Sequence, residues 1–132
     1  MTIPEMLASH PHVEGHLNDP LAEAIAACAE CSVICTSCAD ACIAEDMVAE
    51  MRDCIRNCLE CADTCTAVAR IASRRTGSNE HVIKAVLQAC RAACAQCVET
   101  CGAHAGHHTH CKICSDHCRH CVEALDRALE TL

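Results

Sequence analysis

Phenylalanine, tyrosine and tryptophan are all absent from the 132 residues of this chain, and glycine and proline number only four and three. Without aromatic rings the core lacks the side chains that bury the most area, so something else must fill or bind the interior. The stretch MTIPEMLASHPHVEGHLNDP has no basic segment, no apolar run and no twin arginine, so no export signal is legible and a reducing, cytoplasmic compartment is expected. No run reads as long enough for a membrane span, and no membrane is expected. A formal net charge of −8 argues against nucleic acid, whose recognition needs a basic surface, and is mild enough to serve solubility alone.

What the sequence has instead is cysteine, 17 residues of it in a chain of single-domain length. Such density in a short secreted chain signals a disulfide framework, but here the number is odd and the expected compartment is reducing. The thiols fall into four clusters: Cys28, Cys31, Cys35, Cys38 and Cys42; Cys54, Cys58, Cys61 and Cys65; Cys90, Cys94, Cys97 and Cys101; and Cys111, Cys114, Cys118 and Cys121. Within each cluster the step alternates between three and four residues, which is the inward seam of a helix packed on other helices. Strands are excluded for these segments, because they would send such residues to alternating faces.

The clusters do not share one helix. At about 100° per residue, an unbroken helix would put Cys54 roughly 120° from Cys42, and Cys111 roughly 80° from Cys101. Asn18, Asp19 and Pro20 supply a cap and a first-turn proline; Thr76–Asn79 breaks the middle of the chain, and Gly102 and Gly106 break the last pair. The first turn, near Ile43–Asp46, is placed by phase alone. The expected fold is all-α: an antiparallel up-down four-helix bundle over 18–132, preceded by an N-terminal segment, 1–17, with room for a short helix.

In that topology the first and third turns share one end. Counted from it, thiols cover roughly the first two-thirds of every helix. The seams then continue as Leu21 with Ala24 or Ile25, Val68 with Ile71 or Ala72, Ile83 with Leu87, and Leu125 with Leu129. The expectation is a thiol-lined tube closed at its far end by an aliphatic plug.

Leucine would fill a bundle core with more buried area, and thiols three or four apart on one helix sit badly for an S–S bond, so metal binding is the reading that remains. Thiolates select Cu(I), Zn(II) or iron–sulfur clusters. The bacterial ferredoxin spacing is absent, and a zinc site of four thiolates carries about −2 into an interior whose seams offer no Lys or Arg. Cu(I) replaces about one proton per thiol and leaves the interior near neutral, which predicts about one ion per cysteine: a store, not a catalytic site with an open position, so no enzyme is expected. Alternatives are a general soft-metal or zinc thiolate buffer of metallothionein type, and a redox-sensing bundle.

The turn CGAHAGHHTHC sets His104, His107, His108 and His110 at the mouth of the tube, with Met47 and Met51 across from them. Imidazole and thioether hold copper less tightly than thiolate and suit capture at an opening, although the methionine spacing suits core residues equally. His10, His12, His16, His117 and His120 read as surface residues. Glu30, Asp40, Arg56 and Glu60 read as solvated outer faces. A second stripe, Ala27, Ile34 and Ala41, would let another copy approach closely.

The alternating C-x2-C and C-x3-C steps on four successive helices, with the His-rich third turn, resemble the bacterial copper storage proteins, specifically their cytosolic branch, over about Asn18–Leu132. That resemblance implies a tetramer of four-helix bundles that binds many Cu(I) ions and admits them at the His/Met end. By position it implies all 17 cysteines as ligands, with His104, His108 and His110 at the mouth. It leaves the role of His107 open.

Overall fold

The structure is a computed structural model that describes residues 2–132. A short helix, α1 (Thr2–Ala8), precedes four long ones: α2 (Asp19–Ile43), α3 (Arg52–Ile71), α4 (Glu80–Gly102) and α5 (Thr109–Leu129). No strand occurs among the described residues. The Asn18 cap forms as its position suggests, with Oδ1 accepting the Leu21 amide at 2.9 Å, and Pro20 sits in the first turn, where its missing donor costs nothing. The phase break after Cys42 becomes a turn through Ala44–Met47 and a 3-10 helix, Val48–Met51, that leads into α3. The α3–α4 turn uses Gly77 at φ +70°, a left-handed conformation that glycine adopts without a Cβ penalty.

Each long helix packs on two neighbours in the cyclic order α2, α3, α4, α5, and among the described residues the diagonal pairs make no backbone approach. This is the antiparallel four-helix arrangement that short connections impose. The plug forms at the end opposite the third turn: Leu21, Ala24, Ile25, Val68, Ala72, Ile83, Leu87 and Leu125 are all buried, while Ile71 and Leu129 pack on its rim. Leu7 and Val13 of the N-terminal segment are buried too, and the segment lies over α2 at that end. It is pinned to the α3–α4 turn by His10 Nε2 at 3.2 Å from Thr76 Oγ1 and by the Gly77 amide donating to His12 Nδ1 at 2.9 Å. His10 and His12 lie at the surface, as expected, and anchor the segment there.

One expectation from the sequence needs correction. Helix α2 has 25 residues and a mean hydropathy of 1.5 over its most apolar window, so by length and composition it is long enough to cross a membrane. The cause is its run of cysteine and alanine, both scored apolar, and half of that window is buried inside the bundle.

Candidate metal centre

The three-four alternation turns every cluster inward, and all 17 cysteines are buried free thiols. Sulfur meets sulfur between adjacent helices: Cys54 and Cys58 of α3 lie 3.2 and 3.3 Å from Cys101 of α4, Cys61 lies 3.1 Å from Cys94, and Cys35 of α2 lies 3.5 Å from Cys118 of α5. Thiols also meet across the diagonals, Cys28 with Cys90 and Cys58 with Cys114, both at 3.9 Å. Sulfur thus occupies the middle of the bundle, and the expected tube is a sulfur-packed core.

Several sets of four sulfurs have all members within 4.8 Å of one another: Cys31, Cys61, Cys65 and Cys94; Cys31, Cys35, Cys61 and Cys118; Cys35, Cys97, Cys114 and Cys118; and Cys38, Cys58, Cys101 and Cys114. A thiolate–metal bond of about 2.3 Å puts two sulfurs on one ion no more than about 4.6 Å apart, so each set has room to close on a metal. The sets overlap: Cys31, Cys35, Cys61, Cys114 and Cys118 each belong to two. Shared members suit ions linked by bridging thiolates better than isolated closed sites.

At the mouth the donor set changes. Cys38, Cys42, Cys111 and His110 form a further group within the same spacing. His110 Nδ1 stands 3.4 Å from Cys38 Sγ and 3.5 Å from Cys111 Sγ. The His108 ring stacks on that of His110 with centroids 5.4 Å apart, while His104 and His107 lie further out, 6.5 and 6.4 Å from His108. His107 is exposed. Glu45, from the first turn, reaches across to the third: one carboxylate oxygen pairs with His108 Nδ1 and lies 3.5 Å from His110 Nε2. The methionines divide, since Met51 is fully buried in the core cluster and Met47 is half-buried against it.

Burial raises the pKa of a thiol, because an anion loses its hydration, and the seams place no Lys or Arg beside it. At the mouth, burial and the neighbouring Cys38 and Cys54 push Cys111 up to about 12. Cys38 is held down to about 7, chiefly by hydrogen bonding from Cys101, with Cys58 adding to it. Burial pulls His110 down, but Cys38 and Glu45 outweigh it and raise the imidazole above its ordinary value.

Glu45 escapes a reading based on residue type, yet the signal was present: it follows Cys42 by three residues and so continues the α2 seam. His117, expected at the surface, is half-buried, with Nε2 3.3 Å from the Ala27 carbonyl oxygen, which also accepts from Cys121 Sγ at 3.3 Å. Ala27 is accordingly buried inside the bundle, whereas Ile34 and Ala41 of the same stripe remain half-exposed. Glu30, Asp40, Arg56 and Glu60 are exposed as expected.

A four-helix bundle with thiol seams and imidazoles at one end defines a multi-site thiolate metal-binding protein. The chain belongs to the copper storage protein family, Csp, whose sequence profile matches residues 17–130. Among solved structures it is similar to the copper storage protein Ccsp of Streptomyces lividans loaded with 10 copper equivalents, at 42% identity over 98% of this chain and 99% of that one, with a TM-score of 0.94. A structure of the cytosolic copper storage protein from the same organism with five coppers is 46% identical over 86% of this chain and 95% of that one, with a TM-score of 0.84. A Ccsp variant with one histidine replaced by alanine is 44% identical over 88% of this chain and 97% of that one, at the same TM-score of 0.84. No curated protein matches the chain.

Proposed function

We propose that the chain stores Cu(I) in the cytoplasm, binding about one ion per cysteine through all 17 thiolates, and that ions enter at the end carrying His104, His108 and His110. The observation that carries this reading is the continuous sulfur core, in which four-thiol sets share members and no cation accompanies them. An anionic interior of that size is costly, and Cu(I) avoids the cost by replacing each proton with one positive charge. The relatives loaded with 10 and five coppers support the metal and the high stoichiometry, and the cytosolic description of one of them supports the compartment.

The mouth supports the direction of uptake. Three thiols and His110 form the outermost group, and a weaker nitrogen donor set lies outside it, so an ion passing inward meets progressively softer ligands. Met47 serves at most at the rim, and Met51 is a core residue in this reading. The role is storage and not catalysis, with no nucleic acid or membrane partner. The resemblance that implied a tetramer, and the half-exposed Ile34 and Ala41, support assembly of the bundles into a homotetramer.

The test is an anaerobic titration of the reduced apo-protein with Cu(I) against a strong chelator. Saturation near the cysteine number is expected. Saturation at one or two ions would refute storage, and tight binding of zinc that yields only slowly to Cu(I) would move the function to a general thiolate buffer.

A further inference from the structure

Two imidazole nitrogens at the mouth, His108 Nε2 and His110 Nε2, are buried without a hydrogen-bond partner. Buried polar atoms are almost always satisfied, so each such atom asks for a reason. The opposite nitrogen of each ring is engaged. His108 Nδ1 pairs with Glu45 Oε2, and His110 Nδ1 faces the sulfurs of Cys38 and Cys111 at 3.4 and 3.5 Å. The same Glu45 oxygen lies 3.5 Å from His110 Nε2.

A carboxylate only accepts hydrogen bonds. Paired with His108 Nδ1, it keeps the proton on that nitrogen and leaves the Nε2 lone pair free. Metal-binding histidines are commonly held this way, their second nitrogen donating to a carboxylate that fixes tautomer and ring orientation. On His110 the sides are reversed: the same carboxylate oxygen makes no hydrogen bond to Nε2 but at 3.5 Å favours a proton there by charge alone, which leaves the Nδ1 lone pair towards the thiols. One oxygen thereby holds the His108 tautomer by direct pairing and biases the stacked His110 ring towards the opposite one.

We propose that Glu45 is a positioning residue for copper uptake: it holds His108 with Nε2 free to take an incoming Cu(I), and His110 with Nδ1 free to pass that ion to Cys38, Cys42 and Cys111. This rests on the uptake reading given above. The carboxylate is a hard donor and Cu(I) a soft acceptor, so Glu45 acts on the imidazoles and not as a ligand itself. Its side chain is 31% exposed against 13% for His108, which puts the carboxylate at the rim and the nitrogen to be used within the opening. Glu45 also ties the α2–α3 turn to the α4–α5 turn, so the two walls of the mouth are set by one side chain.

The test combines tautomer assignment with uptake rate in the full-length protein. Long-range proton–nitrogen NMR of the apo-protein should show His108 protonated at Nδ1 and His110 at Nε2. Glu45→Ala should shift His108 towards the Nε2-protonated form and slow transfer from a Cu(I)–chelator complex by about tenfold or more, whereas Glu45→Asp should recover much of the rate. The ions bound at saturation should still follow the number of thiols. A merely structural glutamate would lower the melting temperature and leave the tautomers alone.

Wild-type His108 protonated at Nε2 overturns the proposal without any variant. So does a Glu45→Ala chain that loads within about twofold of wild type while His108→Ala loads slowly, since the carboxylate then has no effect on the imidazole and the uptake site stands. A His108→Ala/His110→Ala chain that loads at the wild-type rate overturns the uptake reading itself, and the role of Glu45 with it.

Discussion

Cys61 Sγ on α3 and Cys94 Sγ on α4 face each other at 3.1 Å in the buried core, and both sulfurs belong to the same four-thiol set with Cys31 and Cys65. Replacing both by alanine removes two thiols that the storage reading counts as ligands and only two sulfur atoms of packing. Under one ion per thiol the saturating load should fall by about two Cu(I) per chain, read by anaerobic titration and native mass spectrometry. An unchanged load would mean that these sulfurs only fill space.

Met51 offers the contrasting case. It is fully buried and lies in the core cluster, on the turn that leads into α3. Met51→Ala should destabilise the apo-protein by about 2–5 kcal/mol through the cavity it leaves, while Met51→Leu should cost under about 1.5 kcal/mol. Neither should slow copper transfer. Slow loading of a stable Met51→Leu variant would restore the thioether as a mouth ligand.

The aliphatic plug carries stability without carrying metal. Leu87 is fully buried beside Ile83, Leu125 and Val68, and Leu87→Ala should destabilise the apo-protein by about 2–5 kcal/mol. Copper bound only by the folded state adds stability by mass action, so the loaded variant should stay folded where its apo form has melted. Thermal melts of both forms, with a copper titration alongside, check this. A loss of several copper ions on substituting Leu87 would mean that the plug helps to hold the load.

Alkali should separate the apo and loaded proteins. The folded pKa of Cys111 is raised from 9.0 to about 12, chiefly by burial. A raised pKa contributes stability that is fully present below the unfolded value and is lost as pH climbs through the folded one, here between 9.0 and about 12. The denaturant midpoint of the apo-protein should therefore fall across that window, and Cys111→Ala should flatten the fall. Cys38, depressed to about 7, has the opposite sign: its contribution is present above 9.0 and is lost as pH drops through about 7. Copper loading displaces these protons, about one per ion at neutral pH, so the loaded protein should show a much flatter profile and its loading should acidify a weakly buffered solution. A loaded protein as alkali-sensitive as the apo form would show that the thiols still carry their protons.

The helices and their inward faces were legible along the chain because a three-four alternation sustained through four clusters has one geometric solution. The same periodicity located the plug, where the seams pass from Cys65 to Val68 and from Cys121 to Leu125. The phase break alone placed the first turn, and the structure closes α2 at Ile43 accordingly. Soft-metal chemistry followed from residue type, since a seam of thiols without cations admits few occupants.

Other features depend on contacts between segments that are distant in sequence. Which sulfurs form sets is decided by helix adjacency and axial stagger, so Cys114 joins Cys58 and Cys101 from two other helices. The burial of Leu7 and Val13 depends on where α1 and the strap that follows it come to rest, which no periodicity in so short a segment expresses. Glu45 acquires its place only when the α2–α3 turn meets His108 and His110 of the α4–α5 turn. The sequence by itself determined a four-walled bundle of thiols, because each wall is a local periodic pattern. Only the tertiary structure decided how the mouth is built, because a carboxylate and two imidazoles more than sixty residues apart in the chain have no local pattern to connect them.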